Sequence, residues 1–538
     1  MATAAAVLAA CGGGGTIGPP TTVDVITPAD RPCAVAVATP ASGATDVLVN
    51  VEPTVISTGP SAGACADLRL ADAEGNTVPT TVLISNDAPH PDGGAVSTLS
   101  LQPQADLSAA STYSVYRGNE RLFNFTTGNG RAGLPVLVTD LPAAMKGLPA
   151  LTTFQPAQIN DLISALALEL ANGSELVAKA IEATLSSELP NFSHPNAQFA
   201  ARIQKITYTS SLPDGRSVTL SGLMVLPVHP DGSPLDYSRT PMLIGQRGAQ
   251  DSETPGPSSG NHAELLPGLM AAGRGHIFIA PDLIGVGDTA SLEQAYLVAR
   301  DTGVQTRDML RAVRAHLRQQ YGATDSQDLR IVGSSQGGYS VFAALPYLAP
   351  MGPVKLVSTL AGPFDLDRTY TSNLLALAGQ PRDAYSKHEN LNLVPSRLKS
   401  SLDALKSYQQ LDYDPQKVFD ASGGIQASFL EDFKAGRYNH LRVLWRSGSA
   451  VGNSQRYVIP EAKVVLYHFS SDPLVPSQNT SDLLAKLKGS DQSVGSVEQG
   501  SCHESSLLTK LILQFSKSQL VRHTLCAAYQ YNDLVEEL

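Results

Sequence analysis

Long apolar runs are missing from this 538-residue chain, and with no stretch of 18 or more such residues none reads as a membrane-spanning helix. Basic stretches are scarce as well. Lys and Arg number 38 against 49 Asp and Glu, a formal net charge of −11, and no basic stripe stands out, which argues against a nucleic-acid partner. The 11 histidines form neither HExxH nor HxH, and the cysteines lack zinc-ligand spacing, so no metal is expected. Trp445 is the only tryptophan. What remains is rich enough to fold: 42% hydrophobic and 16% charged residues supply a sizeable core and exclude wholesale disorder, and the length implies two or three domains.

Four of the five cysteines fall into two sequence-local pairs, Cys33 with Cys65 and Cys502 with Cys526, a pattern that predicts two disulfides and an oxidising compartment. The fifth, Cys11, ends "MATAAAVLAAC" and is followed by four glycines. This resembles a bacterial lipobox, which implies signal cleavage before Cys11, lipidation of its thiol and an exported or surface-anchored protein. The apolar segment before Cys11 is shorter than in a complete signal and holds no Lys or Arg. Residues 1–32 then read as a signal remnant and a Gly/Pro-rich tether.

Residues 33–128 are predicted to be all-β, since short runs such as "AVAVATP", "ADLRLAD" and "TYSVYRGNERLFNFTTG" are separated by Gly, Pro, Asp and Asn turns. "TPASGATDVLVNVEPTV", "LSLQPQADLSAASTYSV" and "FNFTTG" are similar to the opening and closing pieces of bacterial Ig-like modules, and that resemblance implies a spacer or presenting unit. Residues 129–155 read as a linker, and 156–538 as a second domain. It opens with the helical spacing of 157–187. From about 203, buried-strand patterns such as "TPMLIG", "HIFIAPD", "LRIVGS" and "KVVLYHF" alternate with helical ones, which predicts a mostly parallel sheet covered on both faces. The rhythm breaks at 367–448, a helical stretch expected to form a cap.

Gly-x-Ser-x-Gly occurs three times, around Ser61, Ser258 and Ser335. Context separates them. Only Ser335, in "IVGSSQGGYS", sits between a buried-strand pattern and a helical one, where a sharp turn would lift its hydroxyl above the sheet. A serine hydroxyl needs a histidine to take its proton, and the histidine needs an acid to orient it. The order Ser, acid, His then selects Asp472, in "SSDPLVP" after the strand "KVVLYHF". Asp482 and Asp491 fit less well. The same logic selects His503, in "GSCHESS" after the next strand, over His523, some twenty residues later, and over His468, within a strand. A Cys502–Cys526 bridge would pin His503. The backbone N–H of Gln336 is the expected first oxyanion donor.

These segments together resemble the α/β-hydrolase superfamily, nearest its secreted bacterial lipase and esterase branch: "GQRGAQ", "IAPDLIGVGDT", "GSSQGG", "SSDPLVP" and a late histidine. In "GQRGAQ", Arg247 stands where that branch has a histidine, so the resemblance leaves the second oxyanion donor between Arg247 and Gly248. It implies a serine ester hydrolase without cofactor, acting on a small or polymeric extracellular ester and touching a membrane only through Cys11. A serine peptidase of the prolyl-oligopeptidase type and a non-enzymatic surface-binding protein are the alternatives. The first usually brings a β-propeller, and no blade repeat is visible.

Overall fold

The computed structural model describes residues 32–538 except 62, 145–149, 163, 165–174, 250–254, 261–262, 326, 388–392, 452–456, 490–492 and 516–517. Cys11 and most of the expected tether therefore lie outside the described residues.

The N-terminal strands are β1 (Ala34–Thr39), β2 (Ala44–Val47), β3 (Thr54–Gly59), β4 (Leu68–Ala71), β5 (Thr77–Val78), β6 (Thr80–Pro89), β7 (Ala95–Pro103), β8 (Thr112–Arg117) and β9 (Glu120–Thr127). They form two sheets, ordered β1-β3-β7-β6 and β2-β9-β8-β4-β5. Alternating apolar residues of both sheets share one core, in which Val55 and Leu99 of the first meet Leu70, Val115 and Phe125 of the second. The disulfide Cys33–Cys65 closes this unit.

The stretch read as a linker does more than connect. Its strand β10 (Pro135–Asp140) pairs antiparallel with β12 (Ala200–Ser211), and β11 (Thr153–Phe154) pairs with the other end of β12. β10 is largely exposed although it carries Val136, Leu137 and Val138, so its short apolar run stands at the sheet edge and not in the core. The remaining strands are β13 (Ser217–Val228), β14 (Met242–Gln246), β15 (Ile277–Pro281), β16 (Leu329–Ser334), β17 (Val354–Leu360), β18 (Val458–Tyr467) and β19 (Ser493–Gln499). The large sheet runs β10-β12-β13-β15-β14-β16-β17-β18-β19, antiparallel as far as the β13–β15 pair and parallel from there on. Its central strands β14 and β15 are buried along their whole length, as a parallel sheet covered on both faces requires. Between β17 and β18 lie the helices Leu366–Leu377, Pro395–Gln409, Pro415–Val418, Ala427–Lys434 and Asn439–Gly448, which occupy the stretch expected to form a cap.

The two-sheet unit is not a free appendage. Val37, Ile56 and Val96 belong to the same continuous core as Met309 and Phe342 of the large domain. Glu52, between β2 and β3, ion-pairs with Arg307 of the helix Ala299–Tyr321, and the two side chains are 10% and 5% exposed. Arg307 also contacts Asp308 Oδ1 at 3.1 Å, and Ser210 of β12 donates to Asp308 Oδ2 at 2.8 Å. Burial alone would raise the Glu52 carboxyl, but the charge and hydrogen bond of Arg307 outweigh it and hold the group below its ordinary value.

Glu52→Gln is accordingly expected to cost about 3 kcal/mol in chemical denaturation, because it leaves Arg307 and Arg311 facing Asp308 alone. Since the folded carboxyl titrates low, its contribution is present above the ordinary value of 4.5 and drains away as pH falls below it. The variant should therefore lose stability less steeply than the parent on acidification, and parallel pH–stability curves would refute this account.

Candidate active site

Ser335 lies between β16 and the helix Gln336–Leu348, with φ 57° and ψ −122°, a backbone conformation that non-glycine residues seldom adopt. The turn is held on both sides. The Ser335 amide donates to the Leu360 carbonyl of β17 at 2.7 Å, and the Ser335 carbonyl accepts from the Tyr339 amide at 3.2 Å. Both flanking glycines are required by contact. A Cβ on Gly333 would lie 2.4 Å from the Gly337 carbonyl oxygen, and one on Gly337 would lie 2.1 Å from that of Gln246. The elbow can form only because this close approach is free of side chains. The other two copies of the motif differ in kind: Ser61 is exposed in a loop, and the buried Ser258, in the turn Pro257–Ser259, gives its amide to Asp282 Oδ1 at 2.8 Å.

Asp472 is 2% exposed, in the loop after β18. Its Oδ1 accepts the amides of Leu474 at 2.8 Å and Val475 at 3.0 Å, and its Oδ2 lies 2.6 Å from His523 Nδ1. Burial pushes the carboxyl up, but the adjoining imidazoles, His523 first, outweigh that and hold it well below the usual carboxylate range. His523 ends the short helix Gln519–His523 and, like Ser335, lines one cleft of about 140 Å³. Its bond to Asp472 through Nδ1 leaves Nε2 for the cleft side.

The expectation for His503 is corrected here. His503 is exposed, its ring stacks loosely on Tyr529 with 5.0 Å between centroids, and its amide is tied to Ser501 Oγ at 3.2 Å. The imidazole on Asp472 comes instead from His523, because the helices Leu507–Phe515 and Gln519–His523 intervene after β19 and carry the chain out and back. The Cys502–Cys526 disulfide closes that excursion. The bridge so returns residue 526, and His523 three positions before it, to the carboxyl end of β19. The Cys502–Cys526 pairing was expected from the sequence, but it sets both His503 and His523 beside the bridge and does not choose between them; the bond to Asp472 does.

Gln336 is the first residue of its helix, where the backbone N–H has no acceptor within the helix. The Arg247 side chain is 1% exposed and committed elsewhere: Nε donates to the Asp282 carbonyl at 2.8 Å, one terminal nitrogen to the Gly248 carbonyl at 3.2 Å, and the other to Gln294 Oε1 at 3.4 Å. Burial lowers its guanidinium to about 10. It braces the loop rather than facing the cleft, while Ala249, two residues on, lines the cleft.

The walls of the cleft are mainly apolar: Tyr296, Leu297, Tyr370, Val394, Leu474 and Leu520 among others, with Thr369, Asn373 and Arg397 as polar members. Tyr370 stacks on Trp445 with centroids 4.7 Å apart, so the cap's aromatics divide between lining and packing. Leu374, Tyr385, Phe419, Phe429 and Trp445 are buried core members, and Leu375 packs against that core.

No protein-family model matches this chain, and neither does any curated protein. Solved structures do. The rice cell wall degrading esterase LipA from Xanthomonas oryzae superposes with a TM-score of 0.52 at 18% identity, over 76% of this chain and 98% of LipA. A structure from Legionella pneumophila described as a hydrolase gives 0.51 at 17% identity, over 75% of this chain and 98% of its own. At such identities the likeness establishes the fold, and the large domain has the α/β-hydrolase fold.

If Ser335 is activated by His523, its labelling by a fluorophosphonate should slow by at least about 100-fold in His523→Ala and by less than about 2-fold in His503→Ala. Active-site titration with the probe checks both, and the reverse ranking would restore His503.

Proposed function

We propose that this protein is a serine carboxylic-ester hydrolase. The observation that carries the reading is the convergence on one cleft of Ser335, on a strained elbow, and His523, whose Nδ1 is fixed by the buried Asp472. Ser335 Oγ attacks the acyl carbon while His523 Nε2 takes its proton, and Asp472 stabilises the resulting imidazolium. The developing oxyanion is met by the Gln336 amide and by a backbone donor after β14. His523 then gives its proton to the leaving alcohol, and the acyl group stays on Ser335. Water, deprotonated by His523 in turn, attacks the acyl-enzyme, releases the acid and regenerates Ser335. None of these steps calls on a cofactor.

The cleft sets the scale of the substrate. Its 140 Å³ is close to the roughly 150 Å³ of an apolar cavity that accepts benzene, so it has room for a short acyl chain or one aromatic ring beside Ser335. The two disulfides fit an oxidising, extracellular setting. With Cys11 read as a lipidation site, the enzyme works anchored at the cell surface on extracellular esters. The N-terminal unit is read as an Ig-like module, on the strength of its two sheets and single core.

Hydrolysis of p-nitrophenyl esters from acetate to palmitate tests the proposal. Turnover should peak at butyrate or hexanoate and fall by at least about 10⁴-fold in Ser335→Ala. Folded parent protein that hydrolyses none of the series, or an unaffected Ser335→Ala, would overturn it.

A further inference from the structure

Asp472 carries a second imidazole that the reaction above does not use. His468 follows the last residue of β18, and its side chain is 2% exposed. Its Nε2 lies 3.3 Å from Asp472 Oδ2, the oxygen that also meets His523 Nδ1. The same Nε2 is 3.1 Å from the Val475 carbonyl oxygen, and Nδ1 is 2.6 Å from Thr480 Oγ1. A carbonyl oxygen can only accept, so Nε2 bears the ring's one hydrogen, which it divides between the Val475 carbonyl at 3.1 Å and Asp472 Oδ2 at 3.3 Å, while Nδ1 of the neutral ring accepts the Thr480 hydroxyl. Thr480 belongs to the helix Gln478–Lys488, while Val475 gives its amide to Asp472 Oδ1 and lines the cleft. His468 thereby ties together the acid's loop, the helix behind it and one cleft wall.

The geometry points to His468 as a positioning residue for the proposed hydrolysis, one that fixes the Asp472 carboxylate and shares its Oδ2 with His523, so limiting how strongly the acid holds the imidazolium. The inference rests on the hydrolytic reading. Its physical content is simple: a donor to a carboxylate stabilises the charged form and reduces its basicity. Two imidazoles on one oxygen therefore divide what one alone would receive. The titratable groups acting on Asp472 are His523, from the helix Gln519–His523, and His468, from the end of its own strand. Nearby on the loop, Glu504 accepts the Ser470 amide at 2.8 Å. Arg522 precedes His523, and the face of the helix Gln478–Lys488 toward His468 offers the uncharged Thr480.

His468→Phe keeps a ring and removes both nitrogens, whereas His468→Gln keeps a donor where Nε2 sits. In the Phe variant kcat should fall about 10-fold with KM within about 2-fold, since orientation and not binding is lost. The acid limb of kcat/KM should move up by about half a pH unit, because a more basic Asp472 keeps His523 protonated to higher pH. The Gln variant should recover most of both. Independently, the His523 ring titration followed by NMR in histidine-labelled protein should move the same way. That readout does not need an ester to be turned over, so it separates failure of this inference from failure of the hydrolytic reading. A folded Phe variant with an unmoved acid limb and ring titration overturns the proposal, even if its thermal stability falls. Should the Phe variant not fold, His468→Asn, which reaches no further than the Nδ1 position, gives the same contrast against Gln. Equal profiles for those two overturn it as well.

Discussion

The buried carboxylate of Asp472 is the constraint on which the candidate site depends. A charge with 2% exposure is tolerable only where donors surround it, and here two backbone amides take one oxygen while two imidazoles approach the other. That requirement explains the loop's shape. The amides of Leu474 and Val475 turn toward Oδ1, which places both residues in the cleft wall, and Oδ2 is left facing the helix that ends in His523. Satisfying one buried charge thus sets Asp472, His523 and part of the cleft wall in a single arrangement. The same bond that satisfies the Asp472 carboxylate fixes the tautomer of His523.

Ser335 is fixed by a different kind of constraint, which is steric. The strained φ of Ser335 persists because β17 holds its amide, the helix after it holds its carbonyl, and two glycines let the backbones of 246–247 and 337 approach to a distance that no Cβ permits. Tyr339, one turn into that helix, donates its hydroxyl to the Leu297 carbonyl at 3.0 Å. Leu297 has a positive φ itself, 59°, and stands in the cleft wall. The helix that carries the elbow therefore also positions the wall opposite it.

These constraints differ in how plainly they show in the sequence. The elbow is written locally, as a buried-strand pattern, Gly-x-Ser-x-Gly and a helical pattern within a few residues, so Ser335 and the parallel sheet were legible. Asp472 was legible for the same reason, as it directly follows an apolar strand. His523 was not, since its place is set by a disulfide that folds a helical excursion back on itself, and spacing along the chain misleads where the path is not direct. The role of Arg247 was hidden because a charged side chain beside a glycine reads as a cleft residue, whereas here it is buried in a brace between Asp282 and Gln294. β10 escaped because its apolar run, Val136 to Val138, is only three residues long and stands after a proline in a stretch that reads as a connection.

The same distinction bears on the N-terminal unit, whose sequence suggests a spacer and whose packing ties it closely to the large domain. The cap helix Asn439–Gly448 rests against it: Thr98 of β7 donates to the Ser447 carbonyl at 3.3 Å, and Asn439 donates to Asp92 at 2.7 Å. That helix carries Trp445, which is buried, donates its indole N–H to Ser401 at 3.2 Å and stacks on Tyr370. Tyr370 in turn lines the cleft. A continuous path of packed side chains therefore runs from the β-sheets through the cap to the cleft wall. Close-packed contacts of this kind transmit displacement instead of absorbing it. Since the sheets are also bolted to the helix Ala299–Tyr321 through Glu52 and Arg307, they hold the cap and the large domain in one relative position. A spacer would need a soft junction, and these contacts make a hard one.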